Sequence, residues 1–199
     1  MKILFLYRYG ILGGVCTQLY HRLLNFDKNI EVHCGFRNDF GIAKMFDGLA
    51  KLHFDLTPIK IANLLKKENF DIIIIIDTEE YLHAVKQTNH NAIVILEVHT
   101  SIERNLQYLS NIKNSDIDAV IVVSEFMRDR VQQLTHKELV GVPIIIFPNV
   151  VDSRIFSPQE IEVNGPPVIG WVGKLDDHKN WKDYLQICSQ INLTNNDIE

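Results

Sequence analysis

The chain is poor in the features that mark several large protein classes. It has three cysteines, Cys16, Cys34 and Cys188. They are far apart and odd in number, so they offer neither a disulfide framework nor a zinc-ligand spacing. Reduced thiols of this kind suit a cytoplasmic protein. There is no basic excess: the net charge is −5, which argues against nucleic acid as a partner. No apolar run is long enough to cross a bilayer, since Ile72–Ile76 is closed off by Asp71 and Asp77. The N-terminal apolar stretch is too short for a signal peptide and Arg8 interrupts it. Peripheral contact with the inner face of a membrane stays open. The G-x-G-x-x-G fingerprint and the Gly-Lys-Ser/Thr of a P-loop are both missing, which argues against NAD or FAD as a cofactor. No H-E-x-x-H or paired metal motif exists, so no metal site is expected.

What remains is an ordinary globular composition, 46% hydrophobic and 23% charged over 199 residues. That length holds one domain with a sizeable core plus a fragment. Apolar runs alternate with helical periodicity along the first three quarters of the chain. Lys2–Tyr7 reads as a strand and Gly10–Gly14 as a turn. A helix follows, with Val15, Leu19, Leu23 and Phe26 on one face. Further strands are expected at 30–35, 49–54, 71–76, 92–98, 117–123 and 142–147. Thr57-Pro58 marks a helix start, Thr100 with Glu103 suggests a capping box, and Ser124 a helix N-cap. The five isoleucines of Ile72–Ile76 imply burial on both faces, as in a central parallel strand. The expected architecture is therefore α/β, a Rossmann-like and mostly parallel sheet flanked by helices.

In such sheets ligands bind beyond the C-terminal ends of the strands. Gly13, Gly14, Asp77–Glu80, His99 and Ser124 all fall there. Of these His99 is the candidate catalytic residue, at a strand end just ahead of a helix. Glu79, Glu80, Glu97 and Glu103 are formally able to act as a base, but glutamates near helix starts are commonly structural. Asp116-Ile117-Asp118 has the form of a metal-binding D-x-D, yet it precedes its strand and so lies at the wrong end of the sheet.

Residues 150–167 carry prolines without periodicity and read as a linker between a domain at 1–149 and a second one beginning at 168. Val168–Val172 reads as a strand, and Trp181, Tyr184, Leu185, Cys188 and Ile191 as one face of a helix, with Asn180 at its N-cap. Lys174 and Lys179 stand beside that helix start, where free backbone N–H groups favour an anion.

Taken together, these stretches resemble the group 1 glycosyltransferases of the GT-B architecture. The resemblance is carried by Gly13-Gly14-Val15, His99, Val122-Val123-Ser124-Glu125, Pro148-Asn149-Val150-Val151-Asp152, Phe156-Ser157-Pro158, and Val172-Gly173-Lys174-Leu175 through Lys179-Asn180. It implies two Rossmann-like domains across a cleft, with a nucleotide-sugar donor held mainly by the second and an acceptor by the first. It implies that Gly13, Gly14, Lys174 and Lys179 meet the donor phosphates and that His99 lies near the transferred sugar. It also implies a retaining transfer without a metal or cofactor. The acceptor is left open among a carbohydrate, a lipid-linked molecule and a small molecule. Lys174 stands where arginine is usual, and Val150 where glycine is usual. The family's pair of glutamates, seven residues apart in the second domain, has no counterpart in these 199 residues. The chain is therefore expected to be an incomplete enzyme, with donor affinity weaker than about 1 mM and an apolar face from 168 onward that invites self-association. Two alternatives are a non-catalytic acceptor-binding half of a split transferase and a GT-B sugar-nucleotide epimerase.

Overall fold

In a computed structural model, residues 1–88, 91–135, 138–158, 165, 168–173, 175 and 177–194 are described, apart from the side chains of 178 and 192–194. Two compact units appear, Met1–Phe156 and Ser157–Glu199.

The first unit is a seven-stranded parallel sheet. Its strands are β1 (Lys2–Ile11), β2 (Glu31–Phe40), β3 (Lys51–His53), β4 (Ile72–Ile76), β5 (Ile93–Val98), β6 (Ala119–Val122) and β7 (Ile144–Ile146). They lie in the order β3-β2-β1-β4-β5-β6-β7. The chain thus winds outward in one direction from β1 and then in the other from β4. Between these two strands the order reverses, and a crevice opens at their C-terminal ends.

Helices cover both faces. On one lie α2 (Pro58–Lys67), α3 (Leu82–Lys86), α4 (Glu103–Leu106) and α5 (Glu125–Thr135); on the other lies α1 (Gly14–Leu24). The two-residue period of a strand divides the isoleucine block between the faces. Ile73 and Ile75 join Leu4, Leu6, Leu96, Val98, Ile61 and Val131 in one core. Ile74 and Ile76 join Phe5, Cys34, Cys16 and Leu19 in the other. The central-strand reading of this block holds.

Local signals place several helix ends. Thr57 Oγ1 accepts from the Lys60 N–H, with Pro58 at the first helical position. Ser124 Oγ accepts from the Met127 N–H. The capping box at Thr100 does not form. Thr100 Oγ1 accepts instead from Ile102 N, and α4 is a single turn that passes into a 3-10 segment at Gln107–Asn111. Both β1 and β2 run further than expected. Tyr9, Gly10 and Ile11 pair with Asn38, Asp39 and Phe40, so the glycine turn shrinks to Leu12-Gly13. Ladder bonds with a neighbouring strand override the turn preference of Gly10 there.

Asp116 and Asp118 lie at the N-terminal edge of the sheet, as expected. Asp116 pairs with Lys86, and Asp118 Oδ2 accepts from Val94 N at 2.7 Å. Both are structural.

In the second unit the expected helix is present as α6 (Trp181–Thr194). Val168–Val172 does not form a strand. A strand exists only through its ladder, and no described residue pairs with this segment. The Tyr184 hydroxyl donates to Ile169 O at 2.8 Å, and Trp171 Nε1 donates to Lys179 O at 3.2 Å, which ties the segment to α6. Val168, Val172, Leu175, Leu185 and Ile187 are exposed. Among the described residues no helix is long and apolar enough to cross a membrane.

Candidate functional site

A cleft of about 520 Å³ lies at the β1/β4 crevice. Its walls include Tyr7, Arg8, Tyr9, Val15, Asp77, Glu79, His99, Arg104 and Tyr108. The residues come from four places that the parallel sheet brings together: the end of β1, the start of α1, the loop after β4, and the segment after β5. His99 and the Asp77–Glu79 loop are therefore in one site, as the strand-end argument predicts.

His99 is held at two points. Its backbone N–H donates to Asp77 Oδ1 at 2.8 Å, and the Thr100 N–H donates to the same oxygen at 3.3 Å. Asp77 itself has φ of +50°, a left-handed conformation that aspartate tolerates better than most residues. Burial pushes its carboxyl above the usual aspartate range; the two N–H donors and His99 act in the opposite direction.

The His99 ring is held from behind by Glu97, whose Oε1 lies 2.6 Å from Nε2. Glu97 in turn takes a two-pronged bond from Arg22 of α1, with Nη1 to Oε2 at 2.8 Å and Nη2 to Oε1 at 2.6 Å. Glu97 is completely buried and Arg22 nearly so. Burial alone would raise the Glu97 carboxyl, but the hydrogen bonds from His99 and Arg22 and the Arg22 charge outweigh it and hold it below its ordinary value. The Arg22 guanidinium also lies 4.7 Å from the Phe147 ring centre. Arg22, Glu97 and His99 form one buried polar chain that ends at the cleft.

Apolar periodicity singles out neither Glu97 nor Arg22 as part of the site. A signal existed: Glu97 interrupts an otherwise apolar strand, and a buried carboxylate requires a partner. Its partner is 75 residues earlier in sequence, on a helix whose periodicity marks only the apolar stripe.

Two tyrosines add an unusual feature. The hydroxyls of Tyr81 and Tyr108 are buried and have no hydrogen-bond partner among the described residues. Burial raises both phenols, that of Tyr81 to about 12; for Tyr108 the Asp77 and Glu79 charges add to it.

Gly13 and Gly14 are exposed and precede Val15 at the start of α1. A methyl group at Gly14 would meet no atom within 4 Å, and at Gly13 only Ile11 O at 4.0 Å. The protein's own packing does not demand glycine at either position, and the cleft is lined by Val15 rather than by Gly13 or Gly14. Ser124 serves as a helix cap outside the cleft. Lys179 is exposed at the end of a 3-10 turn in the second unit, and Lys174 lies outside the described residues. No group of three or more metal-ligating side chains occurs among the described residues.

No family model matches the sequence, and no curated protein matches it either. Solved structures do. Anabaena HepE in complex with UDP-glucose superposes with a TM-score of 0.61 at 16% identity, covering 80% of this chain and 47% of that one. The lipopolysaccharide outer core galactosyltransferase WaaB gives 0.62 at 18% identity, covering 84% and 51%. A glycosyltransferase from Rickettsia africae gives 0.67 at 16% identity, covering 100% and 67%. The chain thus has a Rossmann-like α/β fold shared with GT-B glycosyltransferases, the fold expected from the sequence resemblance. It spans about half the length of the HepE and WaaB chains it matches.

Proposed function

We propose that this chain is the acceptor-side domain, with the start of the donor-binding domain, of an enzyme that transfers a sugar from a nucleotide-sugar donor. The observation that carries this reading is the cleft at the strand-order reversal, into which the buried Arg22–Glu97 pair presents His99. The fold likeness to glycosyltransferases, one of them in complex with UDP-glucose, supports the choice of reaction.

In this reading the donor diphosphate approaches the amides at Gly13 and Gly14, where unbonded N–H groups and the helix dipole favour negative charge. By the family resemblance, Lys174 and Lys179 are assigned to donor phosphates. His99 lies beside the transferred sugar. The acceptor enters among Tyr7, Tyr9, Arg104 and Tyr108, whose rings, guanidinium and hydroxyls suit a polyhydroxylated molecule. An exposed lysine–phosphate pair contributes only about 0–1 kcal/mol, so donor affinity in this chain is weaker than about 1 mM.

The test is an NMR titration of the full chain with UDP-glucose and other nucleotide sugars. Shifts should concentrate on the amides of Gly13–Cys16 and on His99, at millimolar ligand. Gly14→Ala should abolish the amide shifts while leaving thermal stability unchanged or raised. Micromolar binding, or shifts confined to surfaces away from the cleft, would overturn the proposal.

A further inference from the structure

Glu97 presents two oxygens to three donors. Oε2 takes Arg22 Nη1, while Oε1 is shared by Arg22 Nη2 and His99 Nε2. A carboxylate beside a guanidinium can only accept hydrogen bonds. The proton in the 2.6 Å contact therefore sits on His99 Nε2. The ring cannot turn over to escape this, because a half-turn would place a C–H where Nε2–H now points at Oε1. The main chain is equally constrained, with the His99 and Thr100 amides both on Asp77 Oδ1. The His99 side chain is only 10% exposed, so water competes little for the ring.

The remaining ring nitrogen, Nδ1, receives no hydrogen bond within the described residues. In the neutral ring, a proton on Nε2 leaves a lone pair on Nδ1. A lone pair repels the oxygens of a phosphate or carboxylate and accepts from a hydroxyl. The charges behind it give no net attraction to an anion, since Arg22 and Glu97 cancel one another.

We infer that Arg22 and Glu97 are positioning residues that lock His99 as its Nε2–H tautomer, so that the ligand group taken at His99 in this cleft is a hydroxyl. The identity of that hydroxyl, on the transferred sugar or on the acceptor, rests on the glycosyl-transfer reading; the lock itself does not. It follows that an anionic group does not bond to Nδ1 itself; the cations lining the cleft are Arg8 and Arg104. The pair also does something that packing alone would not require: a buried ion pair serving only the core has no need of a third donor at the edge of a cleft.

The experiment is long-range 1H–15N correlation of the histidine rings in the uniformly labelled full chain near neutral pH. The expected result for His99 is a protonated Nε2, an unprotonated Nδ1, and an Nε2–H resonance in slow exchange with water. Glu97→Gln replaces a pure acceptor with a group that both donates and accepts, so the ring should become a mixture of tautomers. Arg22→Met/Glu97→Leu removes both charges together and so keeps the core neutral; there the Nε2–H resonance should be lost to exchange. A ring protonated at Nδ1 or at both nitrogens in the unaltered chain, or a ring indifferent to both variants, would overturn the lock. UDP-glucose should move the Nδ1 resonance and inorganic phosphate at the same concentration should not. A response of Nδ1 to phosphate overturns the hydroxyl assignment. A locked ring that ignores UDP-glucose supports the lock and counts against the glycosyl-transfer reading instead.

Discussion

Replacing Glu97 with leucine tests how far the site depends on burial. The substitution strands the Arg22 guanidinium in a place where its side chain is 6% exposed and its counter-charge 0% exposed. Removing one member of such a pair costs about 3–5 kcal/mol, because the survivor is left charged and out of water. Against a total stability of about 5–15 kcal/mol for a domain, that is enough to bring this unit near its unfolding threshold. Arg22→Met leaves the Glu97 carboxylate with one hydrogen bond, from His99, and should cost a similar amount. The double variant should not cost the sum. With both charges gone, two apolar side chains fill the space between α1 and β5, and such exchanges are often neutral or even stabilising. The coupling energy of the cycle should therefore be several kcal/mol and favourable. The assay is urea unfolding followed by far-UV circular dichroism. Intrinsic fluorescence is the wrong probe, since both tryptophans, Trp171 and Trp181, are in the second unit. A Glu97→Leu cost below about 1 kcal/mol, the range of solvent-exposed pairs, would refute the reasoning. So would a double variant as damaged as the sum of the singles.

Three further outcomes are expected. Glu97 and Glu31 have folded-state carboxyls below their ordinary value near 4.5, Glu31 at about 2 through its bonds with Lys51 and His33. Their contribution is fully present above pH 4.5 and is lost as pH falls through the lowered folded values. Asp77, raised by burial, acts with the opposite sign and weakens the fold as pH rises through its folded value. The urea midpoint should fall between pH 4.5 and 2, and a midpoint that rises on acidification would contradict this. Gly35→Ala places a methyl group against Leu56 Cδ1 and 2.9 Å from Leu6 Cδ2 inside the sheet face. It should cost about 1–3 kcal/mol by overpacking, and a neutral result in thermal unfolding would show that Leu56 repacks freely. Tyr81→Phe deletes a buried hydroxyl that has no hydrogen-bond partner among the described residues. Stability should stay level or rise by up to about 1 kcal/mol; a loss of that size would mean the hydroxyl has a bonded partner in solution.

The fold was legible because its signals are local and repeated. Five β-branched isoleucines closed off by Asp71 and Asp77 read as a short strand buried on both faces, and the alternation of such runs with helical stripes leaves a parallel sheet as the simple solution. Thr57-Pro58 and Ser124 mark helix starts for the same reason: the hydroxyl that caps is within three residues of the amide it serves. The position of His99 at a strand end followed from the same pattern, and with it the general location of the cleft. Failures occurred where a distant partner decided the outcome. Gly10 joins β1 because β2 supplies ladder bonds as far as Phe40. Val168–Val172 forms no ladder because no described strand lies beside it.

Chain order and residue pattern by themselves thus determined the layers, the central strand, and which loops meet at the C-terminal edge of the sheet. Only the tertiary structure decided what the site is made of. Arg22 and Glu97 are brought together by the packing of α1 on β5, and Asp77 reaches the His99 amide because β4 and β5 are neighbours. Periodicity records which face of an element is apolar, since that is a property of each element alone. Which polar groups meet across two elements depends on register and packing, and those are settled only when the chain closes on itself.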